Sequence, residues 1–383
     1  MDISINSQEK VGKEFFFKLL FYVAFCLKLI QWDLSISLIK IQFNSNLIDI
    51  LCLGLLLGSF FFRESYPVKL LISFFLFSIL SVMVYIKTGN KDILLMVLFI
   101  FASYDIEFSN IIKCAMVIKS IFLILCTLLS ILHIIPNYEF YEFRGVRKSL
   151  GYVTYNYAPR ELFYIICYYI YLKKTKFKFI ELIIIELLAF YYAQMTLSRT
   201  TFYLITLMVG IVILNKLTLN KFFKTSFSRI TSYVYILASV FTVIVLKLYM
   251  INPVKYKFLN FFTTGRLEYS IIALNKYGIS LFGQKIEWVG LTFNQSKVIE
   301  YNYVDNSYLQ MLLNYGIIYT IVVVVCLTLI CRYAIKSNNY NLVIILVILA
   351  IRAIVEPQLW VVQYNIFSLL LLPTILMLNR KGV

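Results

Sequence analysis

The sequence is short of the residues that wet a protein surface and of those that break a chain. Charged residues fill only 14% of its 383 positions, with 6 prolines, 13 glycines and a single histidine. Soluble domains carry about 25% charged residues. A soluble fold of this size would be left with a surface too apolar to wet. The low glycine and proline exclude collagen-like and low-complexity chains, and 17% aromatics exclude disorder. No Asp-x-Asp pair, His/Cys cluster, Walker loop or Gly-x-Ser-x-Gly elbow occurs. Metal-bound diphosphate chemistry and serine-hydrolase chemistry therefore lack their usual parts.

What the chain has in excess is apolar length. Hydrophobic residues make up 61% of it, and runs of about 17–25 apolar residues span a bilayer. About twelve such runs are present, near 14–31, 46–62, 70–86, 93–109, 114–135, 157–172, 179–197, 200–216, 230–250, 308–331, 340–355 and 360–378. The first follows Lys10 and Lys13 and continues through Gln31-Trp32-Asp33 with no small-residue cleavage site, so it reads as an uncleaved anchor. These runs predict an all-α polytopic membrane protein of about 12 transmembrane helices, one membrane domain over 1–383. A large external loop, 251–307, separates helices 9 and 10, and a smaller one covers 136–160.

Lysine and arginine set the expected orientation. Alternate turns carry Arg63, Lys69, Lys113, Lys173, Lys174, Lys176, Lys178, Lys216, Lys221, Lys224, Arg229, Arg332, Lys336, Arg380 and Lys381. The short turns between them carry few, namely Lys40, Lys87, Lys91 and Arg199. That bias predicts cytoplasmic N- and C-termini, with Trp32, Trp288 and Trp360 in an outer aromatic belt. The net charge of +17 then reads as attraction to anionic lipid headgroups. No RNA-binding motif or basic tail points to nucleic acid. The seven cysteines fall in or beside apolar runs and read as small core fillers.

Some charges need a reason. Arg199 sits between two apolar runs with almost no loop and no nearby acid, so it either snorkels or meets a distant partner or ligand. Arg352 and Glu356, spaced i, i+4, are expected to pair with each other. Glu181 and Glu186 lie near basic turns and read as structural, and His133 ends the fifth run near the outer face. In the long loop, Thr263-Thr264-Gly265-Arg266 precedes Leu267, Ile271, Ile272 and Leu274 at helical spacing, with Gly278 as a stop. Thr264 would cap this helix. Arg266 in its first turn is either part of an anion site with the free amides or an exposed interfacial cation. Arg144, Arg147 and Lys148 precede Ser149-Leu150-Gly151-Tyr152 and Tyr155-Asn156, a grouping that suits a phosphate or a solvated loop. Asp305, Asn306 and Ser307 are N-cap types opening a membrane helix.

Four of these segments, taken together, resemble bacterial polysaccharide polymerases of the Wzy type, in the O-antigen ligase/polymerase superfamily. Asp305-Asn306-Ser307-Tyr308-Leu309 with Asn314-Tyr315-Gly316-Ile317-Ile318 is similar to the signature near the end of that family's large external loop. Arg147-Lys148-Ser149-Leu150-Gly151-Tyr152 with Asn156 resembles its first-loop motif, and Ser198-Arg199-Thr200 and Gly265-Arg266 resemble two further arginine sites. Two features depart from the pattern. Thr154-Tyr155 stands where His-Pro is usual, and Asp305 stands where ligases commonly place His; the latter favours polymerase over ligase.

The resemblance implies a C-type, metal-independent glycosyltransferase with no cofactor, at the outer face of the bacterial plasma (inner) membrane. It would move a growing glycan from undecaprenyl diphosphate onto a lipid-linked repeat unit, making O-antigen or capsule. Its partners would be undecaprenyl-diphosphate-linked oligosaccharides, membrane lipids and a chain-length regulator protein. In that reading Arg147, Arg199 and Arg266 hold the diphosphate with Arg144 as a fourth, because a guanidinium binds phosphate bidentately and stays charged. Asp305 is the general base, with Glu300 and then His133 as rivals, while Asn156, Asn306 and Tyr308 orient the sugar. An O-antigen ligase, or a twelve-span transporter or lipid-linked oligosaccharide flippase, is the alternative. Against transport, the two halves show no internal repeat.

Overall fold

The computed structural model describes residues 2–63, 66–142, 145–174, 177–218, 227–262, 265–290 and 301–374. Seven helices are long and apolar enough to cross a membrane: Gly12–Ile36, Val68–Thr88, Phe108–Ile131, Phe179–Thr196, Arg199–Leu217, Val234–Ile251 and Ser307–Lys336. Three shorter apolar helices join them, Ser45–Phe61, Asp92–Ala102 and Tyr340–Arg352. Local chemistry sets several boundaries. The Asn44 side chain accepts from the amides of Asn46 and Leu47, and Asn306 and Asn339 cap Leu309 and Leu342 in the same way. Pro67 precedes Val68–Thr88, and Gly89 ends it in a left-handed conformation.

The outward faces are apolar. On Val68–Thr88, Ile72, Leu76, Ile79, Met83 and Ile86 lie exposed at helical spacing, while Leu70, Phe77, Ser81 and Val84 are buried on the other side. A helix apolar on both faces has lipid, not water, as its outer solvent. The inward faces also carry polar ties. Lys28 pairs with Asp49 at 2.7 Å and Asp92 at 3.0 Å, joining three helices.

The expected spans are corrected at three places. The run 93–109 is helical only to Ala102, because the chain turns at Ser103–Ile106, where Asp105 has φ 61° and its carboxylate meets Arg63. The run 340–355 ends at Arg352. The run 360–378 opens as irregular chain and a 3-10 turn, Ile366–Leu370, with 375–383 outside the described residues. The sixth expected span is the helix Tyr157–Lys173, which carries charge in its first turns.

The loops add structure that an all-α reading does not contain. Within 136–160, β1 (Glu139–Glu142) and β2 (Gly145–Lys148) form an antiparallel hairpin. The following segment docks on the end of the first helix, where Leu38 N donates to Gly151 O (2.8 Å) and Val153 N to Ile36 O (3.0 Å). Gly151 has φ 84°, and a Cβ there would come within 2.5 Å of the Cys126 carbonyl. Only glycine fits that approach.

The long loop is anchored in a helix break. Within Ser307–Lys336, Gly316 is non-helical at φ 83°, ψ 174°. Ile317 N donates instead to Ser280 O (3.0 Å), and Gln284 N donates to Asn314 O (3.0 Å). The loop thus supplies hydrogen bonds that the helix gives up. A Cβ on Gly316 would lie 2.4 Å from Gly283 N. Trp288 Nε1 adds a bond to Asn314 Oδ1 at 3.1 Å.

Candidate functional site

The site grows from the turn that opens the helix Arg266–Tyr277. Gly265, at φ 85°, swings the chain into that helix and Gly278 ends it at φ 64°, as the spacing predicts. The expected cap Thr264 lies outside the described residues. Of the first-turn amides, Glu268 N is taken by Asn260 Oδ1 at 3.3 Å. Leu267, Ser270 and Ala273 are buried, and this face aims Arg266 back at the bundle.

There Arg266 finds two acids. Its Nε lies 3.1 Å from Asp305 Oδ2, its Nη1 donates to the Val355 carbonyl at 2.8 Å, and its Nη2 lies 4.0 Å from Glu356 Oε1. The other oxygen of Glu356 accepts from Arg160 Nη2 at 3.1 Å and from Gln358 Nε2 at 3.2 Å. Arg160 packs on the rings of Tyr157 and Tyr364, and its Nη1 reaches the Tyr364 hydroxyl at 3.4 Å. Charges therefore alternate along Asp305, Arg266, Glu356 and Arg160. Ser307 fixes this arrangement: its amide donates to Ala353 O (2.8 Å), and its hydroxyl donates to the Glu356 carbonyl.

The two carboxyls are driven apart electrostatically. Burial raises the Asp305 carboxyl above the usual carboxylate range, although Arg266 opposes that shift. Burial would also raise Glu356, but Arg160, Arg352 and Arg266 overcome it and hold the carboxyl at about 2. Such a split separates a group that can take a proton from one that stays ionised. Beside the pair lies a small recess of about 30 Å³, lined by Arg266 and Asp305 and by the apolar side chains of Val245, Leu246, Leu267 and Ile354.

Arg147 stands next to this centre without joining it. It pairs with Glu142 at 3.2 Å and lies over the Tyr155 ring at 4.5 Å, while Tyr155 donates to Glu142 at 3.0 Å. Lys148 is 4.0 Å from Glu139, so the hairpin's own acids partner its cations. Asn156 Oδ1 accepts from Ser198 Oγ at 3.1 Å, tying this loop to the turn that holds Arg199. Arg199 is exposed and makes no side-chain ion pair or hydrogen bond to another described residue. His133 is exposed in a left-handed turn, with none of the four charged residues as a partner. Arg144 and Glu300 lie outside the described residues.

Two expected sugar contacts are built into the fold. Asn306 caps Leu309 N at 2.9 Å and donates to Ile354 O at 2.8 Å and Thr242 Oγ1 at 3.3 Å, which uses up its amide. Tyr308 is buried, and its hydroxyl donates to the Ala350 carbonyl at 3.1 Å. Both hold helices together. The expected Arg352–Glu356 pair does not form, because the helix ends at Arg352 and the i, i+4 geometry is lost. Arg352 instead lies buried over the Phe163 ring at 4.3 Å. Glu181 pairs with Lys173 at 2.6 Å and Glu186 accepts from Thr206 at 3.0 Å, both structural.

Arg160 and the role of Glu356 were not expected from the sequence. The usable signal was an arginine in the first turn of an apolar helix, four residues after Asn156; its neighbour Glu161 is taken by Lys119 at 2.6 Å. Among the described residues no three His, Cys, Asp or Glu side chains gather as a metal site. The chain matches no family model, no curated protein and no solved structure.

Proposed function

We propose that the protein is a membrane glycosyltransferase that polymerises lipid-linked oligosaccharide repeat units from undecaprenyl-diphosphate donors. It is taken to work at the outer face of a bacterial plasma membrane, with twelve spans and both termini in the cytoplasm. The observation that carries this reading is the convergence of Arg266 and Arg160 on Asp305 and Glu356, beside a recess with one apolar wall. A lipid diphosphate needs that pairing of cations with an apolar surface.

In the proposed reaction the acceptor hydroxyl attacks the anomeric carbon of the growing glycan. The new C–O bond forms as the anomeric bond to diphosphate breaks, and the electron pair leaves on the diphosphate. Asp305 takes the hydroxyl proton, for which its raised affinity suits it. Arg266 and Arg160 stabilise the charge on the leaving group, with Arg147 and the unpaired Arg199 at the rim. Glu356, anionic at working pH, holds both inner guanidiniums in place.

The test is extension of a lipid-diphosphate-linked repeat unit by purified protein in liposomes. Arg266→Ala is expected to slow extension by about 10²–10³-fold, the loss that follows removal of one preorganised donor. Full activity in both Arg266→Ala and Arg160→Ala at equal membrane abundance contradicts the assignment.

A further inference from the structure

Where the helices Gly12–Ile36, Phe108–Ile131 and Tyr157–Lys173 meet lies a second cluster of charge. Lys119 has no exposed surface, and its ammonium sits 2.6 Å from Glu161 Oε2 and 3.2 Å from Asp33 Oδ1. The two acids are each 1% exposed. Their remaining oxygens, Asp33 Oδ2 and Glu161 Oε1, are buried without a hydrogen-bond partner. Three helices thus bring one cation and two carboxyls into an apolar interior.

The count does not balance. With all three groups ionised, the cluster carries a net negative charge where burial of an uncompensated ion is most unfavourable. Among the described residues no other charged group forms an ion pair with these three. Around it stand Tyr152 from the 149–156 segment, Cys126 from the Lys119 helix, Tyr168 from the Glu161 helix and Tyr364 from the last segment. All are neutral groups. Among the described residues the nearest further cation around Tyr364 is Arg160, 5.6 Å from the ring where Lys119 is 5.3 Å away, and it is already paired with Glu356.

We propose that Asp33, Lys119 and Glu161 form a proton-binding site, in which the two carboxyls share one proton at neutral pH. The proton sits on one of the two orphaned oxygens and removes the excess charge. The site does not depend on the glycosyltransferase reading. Tyr364 lies between it and the outer cluster's Arg160, its ring within 5.3 Å of the Lys119 ammonium and 5.6 Å of the Arg160 guanidinium.

Infrared spectroscopy of the detergent-solubilised full-length protein tests this through the carbonyl stretch of a protonated carboxyl. At neutral pH the wild type should show one such band that shifts slowly in D2O, as a fully buried group requires. Asp33→Asn or Glu161→Gln leaves one acid against one cation, so either substitution should remove the band. Lys119→Met removes the cation, and the band should double in intensity. Where a variant does not fold, ¹³C-carboxyl labelling of aspartate or of glutamate in the wild type should shift the same slow band. Absence of a slowly exchanging protonated carboxyl in the wild type overturns the proposal, as does a band unchanged in folded variants.

Discussion

Asp305 and Glu356 face the same guanidinium, yet their environments assign them opposite tasks. Asp305 accepts protons more readily than an ordinary aspartate, because burial outweighs its pairing with Arg266. If it is the base, the rate of glycan extension should rise with pH along a limb displaced above the usual aspartate value of about 3.9. Asp305→Asn should lower that rate by about 10²–10⁴-fold while donor binding persists, checked by co-purification of labelled lipid donor. Glu356 is the reverse case, with a folded value of about 2. Its contribution to stability is present above the unfolded value of about 4.3 and is lost as pH falls toward the folded one. Glu356→Gln leaves two guanidiniums without their shared anion, which costs about 3–5 kcal/mol for a buried pair. The gap in thermal midpoint between wild type and variant should therefore be wide at pH 7 and close near pH 2. Arg266 and Asp305 were visible in the sequence because each sits in a short polar motif. Glu356 was visible too but assigned to Arg352, because its true partner, Arg160, lies 196 residues away. Lys119 was hidden by its setting in an apolar run, with its acids on two other helices.

Among the elements, the long helices were legible because an apolar run of spanning length has few other folded fates. The short ones were misjudged wherever a tertiary contact ended the helix early, as at Ala102, where Arg63 captures Asp105. The hairpin Glu139–Lys148 was not legible, since its strands are only four residues long and the sequence Phe143-Arg144 is not a tight-turn pair. The Asn314-Tyr315-Gly316 stretch was noticed as a motif, but its physical task emerges only when residues 280–284 lie against it. Gly316→Ala must place a side chain at φ 83° and 2.4 Å from backbone. It should lower stability by about 1–3 kcal/mol, read as a lower thermal midpoint in detergent. Gly54→Ala, where nothing lies within 4 Å, should leave the midpoint unchanged or raise it.

At the scale of the whole molecule, the chain holds two kinds of buried charge. One cluster borders a small recess, whereas the other is sealed among helices. The long helices carry exposed apolar faces, the surfaces that lipid would cover. The most direct measurement is a gel of surface polysaccharide from cells with and without this gene. Loss of the ladder above a single repeat unit, with that unit still attached to its final acceptor, is the result expected of a polymerase. An unchanged ladder, or accumulation of lipid-linked polymer, would contradict it.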